Sequence, residues 1–231
     1  ALPGVKIDVI MGRDAGWLTA AASLAKESQD DGPHLVYVPE APVSMEKFVS
    51  DINNVYQRLG RCVVAVSEGI RDEDGVTWAK KLAEDVEVDS HGNVQLSGSG
   101  ALADFLANKV KADTDIKRVR ADTFGYLQRS FAGLQSESDA AEARESGRKA
   151  VEFSQVYPSG SAIMMRVADG ENYKIEYERT ELKNVSEFTK ELPESFINAE
   201  GNGITEEFRK YAAPLCGELP RTTYLGTMPK V

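Results

Sequence analysis

The chain has 231 residues, 42% hydrophobic and 28% charged, enough for one sizeable core or two modest ones. Its net charge of -10 argues against nucleic acid or an anionic membrane surface as partner, because either needs a basic footprint. No apolar run reaches the roughly 20 residues of a membrane span, and Ala1 to Asp8 lacks a secretory pattern, so the expected location is cytoplasmic.

The first strand signal, Lys6-Ile-Asp-Val-Ile10, breaks at Gly12, and an alanine-rich helix is expected to begin near Gly16-Trp17. Such a junction aims backbone N–H groups and the positive end of a helix at one point, with Arg13 as a fixed cation beside it. It reads either as an anion site or as an ordinary strand-helix turn. Leu35-Val-Tyr-Val38 is a short strand ending at Pro39-Glu40. Ser44 then caps a helix whose apolar residues Met45, Phe48, Val49, Ile52, Val55, Tyr56 and Leu59 follow the helical period, and Gly60 stops it. Cys62-Val-Val-Ala-Val66 is a continuous apolar strand, as in a parallel sheet covered on both faces, and makes Cys62 a buried thiol. The order predicts a doubly wound α/β sheet with ligands at the carboxyl ends of the strands, where Arg13, Glu40 and Glu68 lie.

Glu84 to Leu96 carries an alternating pattern that predicts a hairpin or two short strands, and Gly98-Ser-Gly100 opens an amphipathic helix through Val110 as a plain turn. A further strand from Ile116 runs into the basic, aromatic turn Gly125-Tyr-Leu-Gln-Arg129. Ser136 and Asp139 have capping-box spacing at the start of a helix to Gln155. Ser161 to Arg166 and Tyr173 to Tyr177, joined at Asp169-Gly170, form a predicted β-hairpin, and a last helix spans Thr205 to Ala213. Cys216 reads as a packing residue, and His34 and His91 have no second ligand at metal-binding spacing. The wound pattern gives way between residues 130 and 160, which marks the expected boundary between residues 1–130 and 131–231.

Four motifs in order, Ile10-Met-Gly-Arg13-Asp-Ala-Gly16-Trp, Val38-Pro-Glu40, Val66-Ser-Glu68-Gly-Ile70 and Gly125-Tyr-Leu-Gln-Arg129, resemble the C-terminal half of 6-phosphofructokinases. Trp17, Tyr126 and the ending Gly203-Ile-Thr to Tyr211-Ala-Ala-Pro-Leu are most similar to the pyrophosphate-dependent members. The resemblance implies a phosphofructokinase-like doubly wound sheet with helices on both faces. Residues 1–130 would be its fructose 6-phosphate-binding domain, and 131–231 an α+β segment that completes or contacts a donor lobe.

By the same resemblance, Met11, Gly12 and Arg13 contact the sugar and the phosphoryl group in flight, with Arg13 stabilising the transition state. Glu68 bonds a sugar hydroxyl, and Arg120, Tyr126, Leu127, Gln128 and Arg129 form the 6-phosphate site, Arg120 from a neighbouring subunit. Guanidinium groups suit phosphate, and carboxylates accept from hydroxyls. The implied reaction is reversible, glycolytic transfer from pyrophosphate to the 1-hydroxyl of fructose 6-phosphate, giving fructose 1,6-bisphosphate, in a homodimer or larger oligomer. An ATP-dependent enzyme and a non-catalytic regulatory subunit are the alternatives. The Gly-Gly-Asp and Thr-Ile-Asp-x-Asp segments with which the family binds donor and magnesium and supplies its base do not occur in residues 1–231. The expectation is therefore a sugar-phosphate half, inactive alone, with Mg2+ held elsewhere, and Glu40 is read as a strand-end carboxylate rather than a regulatory ligand.

Overall fold

A computed structural model describes residues 3–83, 100–187 and 189–220; the hairpin expected over Glu84 to Leu96 lies outside them. Four strands, β1 (Gly4–Ile10), β2 (Leu35–Tyr37), β3 (Arg61–Ser67) and β4 (Val119–Thr123), form a sheet in the order β2-β3-β1-β4, every neighbouring pair parallel. Parallel neighbours need helical crossovers, which cover both faces and account for the unbroken apolar run of β3.

On one face lie α2 (Met45–Leu59), α3 (Trp78–Ala83) and α4 (Ala101–Asp113). Ser44 accepts the Lys47 N–H at 3.2 Å at the start of α2, and Gly60, at φ 67°, closes its end in the left-handed region. This places Phe48, Val49 and Ile52 inward, where Phe48 packs against Tyr37 and Trp78 at ring separations of 5.0 and 5.4 Å. The same core holds Ile7, Val64, Leu106 and Val110, and burial there pushes the Cys62 thiol up to about 12.

The second face divides. Toward β2 and β3 it is covered by α1 (Trp17–Ala21) and the 3-10 turn Ala22–Ala25. The chain's later residues return to the same place through the turn Glu194–Phe196 and the helix Glu206–Cys216. Trp17, Phe196, Phe208 and Tyr211 stack into one aromatic cluster with ring separations from 5.3 to 6.4 Å. The helix expected from Gly16 is thus only five residues long before it tightens. Arg209 takes up the carbonyls at that tightening, those of Ser23 and, at 2.9 Å, Lys26. Toward β4 the face is polar: Lys6 pairs with Arg120 and Asp8 with Asp122 in the register. Burial alone would lower the Lys6 ammonium, but its hydrogen bonds to Asp122 and Asp8 and their charges outweigh this and raise it.

Residues 127–180 add α5 (Leu127–Ser130), α6 (Glu137–Ser154) and an antiparallel pair, β5 (Ser161–Ala168) with β6 (Lys174–Thr180). Ser136 caps α6 by accepting the Asp139 N–H at 3.0 Å. No residue of α6 is buried, and Met164, Met165 and Val167 are exposed on β5. The pair is tied to the body by Arg166, whose guanidinium lies 3.8 Å from the Tyr211 ring and donates to the Tyr211 carbonyl at 2.7 Å. After α7 (Lys183–Ser186), the helix Glu206–Cys216 is α8; it begins one residue past Thr205 and includes Pro214.

Candidate functional site

The register sets Ile10 beside Ser67 and Val9 beside Thr123, so the turns that leave β3, β1 and β4 sit in a row at the carboxyl edge of the sheet. Met11, Gly12 and Arg13 follow β1, Glu68 and Gly69 follow β3, and Phe124 to Arg129 follow β4. Four of the sequence-predicted residues, Met11, Gly12, Arg13 and Glu68, from two motifs 55 positions apart, therefore become neighbours through strand pairing alone.

The first two turns are bound back to back. Glu68 N–H donates to the Ile10 carbonyl at 2.9 Å, which extends the β1-β3 ladder past the strand ends. Glu68 Oε1 accepts the Gly12 N–H at 3.3 Å. The Gly12 carbonyl accepts from the Ser67 hydroxyl at 2.5 Å and from the Gly69 N–H at 3.2 Å. Gly12 has φ 152°, and a Cβ there would stand 2.7 Å from the Ala15 carbonyl oxygen. At Gly69 a Cβ would fall 1.8 Å from the Arg13 carbonyl oxygen, a distance no side chain survives. Arg13 itself is exposed, and among the described residues its guanidinium has no hydrogen-bond or ion-pair partner.

The anion expected at the start of α1 is one of the protein's own side chains. Glu40 accepts the Gly16 N–H through Oε1 at 3.0 Å and Oε2 at 3.2 Å, and Oε1 also accepts the Leu192 N–H at 2.8 Å. One carboxylate thus satisfies an orphan donor at the helix start and fastens the returning chain. The junction is therefore a filled structural contact at Gly16, and Arg13 projects beside it. A cavity of about 1060 Å³ opens next to this contact, bordered by Asp14, Glu40, Arg71 and Glu191.

The third turn is open. Gly125, at φ 53°, turns the chain out of β4, and Tyr126 is 69% exposed and Leu127 57%. The Arg129 guanidinium lies 5.8 Å from the Tyr126 ring centre and borders a cavity of about 590 Å³ that reaches the start of α6. Gln128 lies within the four-residue helix α5. Arg120 stands apart from this turn. It is exposed on β4 opposite Lys6, three residues before Thr123, hence roughly 10 Å upstream at about 3.3 Å per residue. Its Nη1 donates to the Val119 carbonyl at 3.3 Å.

Ser67 and Gly69 are site-forming residues that motif reading passed over. The available signal was a hydroxyl closing an apolar strand and a glycine directly after the acidic residue. Among the described residues no group of three His, Cys, Asp or Glu side chains could hold a metal ion. No helix among them is long and apolar enough to cross a membrane.

The profile of the Phosphofructokinase family matches residues 5–154. The chain is 53% identical over 218 residues to the pyrophosphate–fructose 6-phosphate 1-phosphotransferase of Rhodospirillum rubrum, which covers 94% of this chain and 53% of that protein. To the enzyme of the same name from Xanthomonas campestris pv. campestris it is 37% identical over 228 residues, 95% of this chain and 51% of that protein. The crystal structure of the pyrophosphate-dependent phosphofructokinase from Marinobacter aquaeolei superposes with a TM-score of 0.76 at 28% identity, over 99% of this chain and 52% of that one. The chain thus spans about half the length of the curated relatives it matches. The profile match runs through the wound sheet and the three turns at its carboxyl edge and covers more than half of the chain: the chain belongs to the phosphofructokinase family.

Proposed function

We propose that this chain supplies the sugar-phosphate side of a pyrophosphate-dependent fructose 6-phosphate 1-phosphotransferase. The observation that carries the reading is the row of three turns at the carboxyl edge of the sheet, the expected ligand edge of an open parallel sheet. The turns that follow these strands carry an unpaired guanidinium, a carboxylate, and a phenol with a second guanidinium, groups suited to one elongated anionic ligand. Names of relatives at 53% and 37% identity support the same substrates.

In this reading Tyr126 and Arg129, at the open turn, hold the 6-phosphate, with Leu127 and Gln128 shaping the turn. Glu68 accepts from a sugar hydroxyl and Met11 and Gly12 line the sugar. Arg13 faces the phosphoryl group as the 1-oxygen of the sugar bonds to phosphorus and the bridging P–O bond of pyrophosphate breaks, releasing phosphate. A cation at the site of developing charge lowers that barrier. Magnesium, donor and base would come from the other half of such an enzyme. Arg120, set back along β4, serves the site of a second subunit, and the division near residue 130 separates the sugar site from the segment that meets the donor lobe.

The test pairs binding with turnover. Calorimetric titration with fructose 6-phosphate and fructose 1,6-bisphosphate is expected to show binding that Arg129→Ala weakens about tenfold or more, as for loss of a charge-assisted bond. The 231-residue chain alone, given magnesium and either donor, is expected to show no turnover. The complete protein is expected to use pyrophosphate. Activity with ATP alone refutes the donor, and no sugar-phosphate binding by the complete protein favours a regulatory subunit.

A further inference from the structure

We infer that the Ser67 hydroxyl is a positioning group for Arg13: it fixes the Gly12 carbonyl, and thereby the peptide from which the Arg13 side chain projects. The inference rests on the role proposed above for Arg13. Arg13 has no side-chain partner among the described residues, so the one constraint on its guanidinium is the point and direction at which its Cα–Cβ bond leaves the backbone. That backbone begins at a glycine with φ 152°, where the missing Cβ leaves the Gly12–Arg13 peptide free to rotate. Something outside the turn has to hold it.

Ser67 is the group that does so. It is fully buried at the end of β3, where the four preceding residues are apolar, and a buried hydroxyl in such a place needs partners. It donates to the Gly12 carbonyl at 2.5 Å and accepts the Gly69 N–H at 3.3 Å, while that N–H also reaches the same carbonyl at 3.2 Å. Two donors on one carbonyl oxygen occupy both its lone pairs and oppose a peptide flip. Gly69 lets the two turns close: any Cβ there would strike the Arg13 carbonyl at 1.8 Å. Glu68, between the two, holds Gly12 N–H at 3.3 Å, so both ends of the glycine are fixed from β3.

The experiment is a double-mutant cycle on the complete protein that carries this chain, with Ser67→Ala, Arg13→Ala and both together. Ser67→Ala is expected to lower kcat about tenfold to a hundredfold, the scale of a misplaced catalytic group, with KM for fructose 6-phosphate changed less. In the Arg13→Ala background the same change is expected to leave kcat where it was. Unchanged kcat in Ser67→Ala, or an equal loss with and without Arg13, overturns the positioning role. Arg13→Ala with undiminished turnover overturns the role of Arg13 itself, which is a separate failure. If Ser67→Ala does not fold, Ser67→Cys, nearly the same size with a weaker donor, goes through the same cycle and is judged by the same criteria.

Discussion

The two sides of the candidate site are built differently. The β1 and β3 turns are locked to each other by four hydrogen bonds and by a glycine whose missing Cβ is replaced by backbone. The β4 turn hangs from the sheet by its first residues, with the Phe124 N–H on the Val9 carbonyl at 2.9 Å, and then exposes Tyr126, Leu127 and Arg129. A group that acts on a transferring phosphoryl must be placed closely, whereas a terminal phosphate is held by long side chains that adapt. The difference assigns rigidity to the β1–β3 side and adjustable anchoring to the β4 side.

Two glycines break that comparison most sharply. Gly69→Ala drives a methyl group into the Arg13 backbone, and loss of about 3 kcal/mol or more is expected, as for severe overpacking. Gly125→Ala meets nothing within 4 Å and carries only the cost of φ 53°, about 1 kcal/mol. Urea unfolding of the two variants measures the gap. Equal losses would mean that the two turns are held alike.

A smaller effect is expected at the open turn. Tyr126→Ala removes a side chain with little packing, so stability is expected to stay within about 0.5 kcal/mol. Fructose 1,6-bisphosphate binding is expected to weaken about tenfold, the scale of one hydrogen bond to a charged group. Calorimetry and thermal unfolding of one preparation decide it; a stability loss without a binding loss would make Tyr126 part of the scaffold.

Much of the frame was legible because it is coded locally. Ser44 and Gly60 bound α2 from positions adjacent to it, Ser136 with Asp139 starts α6, and the run from Cys62 to Val66 is a buried strand. What could not be read involves partners distant in sequence. Glu40 is a strand-end carboxylate by position, yet its ligands are Gly16 and Leu192, the latter 152 residues away. The Gly69 contact with Arg13 spans 56 positions and depends on strand order, which periodicity does not encode. The motifs named Arg13, Glu68 and Tyr126, but the division into a clamped and an open side is visible only once β1 lies between β3 and β4.

The weakest test asks whether the clamp inherits its rigidity from the whole strand beneath it. At the opposite end of β3, His34 Nδ1 accepts the Val63 N–H at 2.8 Å, and Nε2 lies 3.2 Å from the Asp30 carbonyl, so the ring is neutral with its proton on Nε2. Burial lowers its pKa below the ordinary 6.5, opposed by the bond to the Asp30 carbonyl and helped by the charges of Arg61 and Lys26. The unfolded chain then binds the proton first. The stabilisation is complete above about pH 6.5 and drains as pH falls from there toward the lower folded value. Thermal midpoints measured from pH 7.5 to 5 are expected to fall slightly more for the natural chain than for His34→Gln, which cannot titrate. Amide exchange at Gly12 and Gly69 is expected to stay protected over the same range, because their bonds close at the far end of the strand. Loss of that protection in step with His34 protonation would show that the clamp depends on the full length of β3 rather than on Ser67 and Gly69 alone.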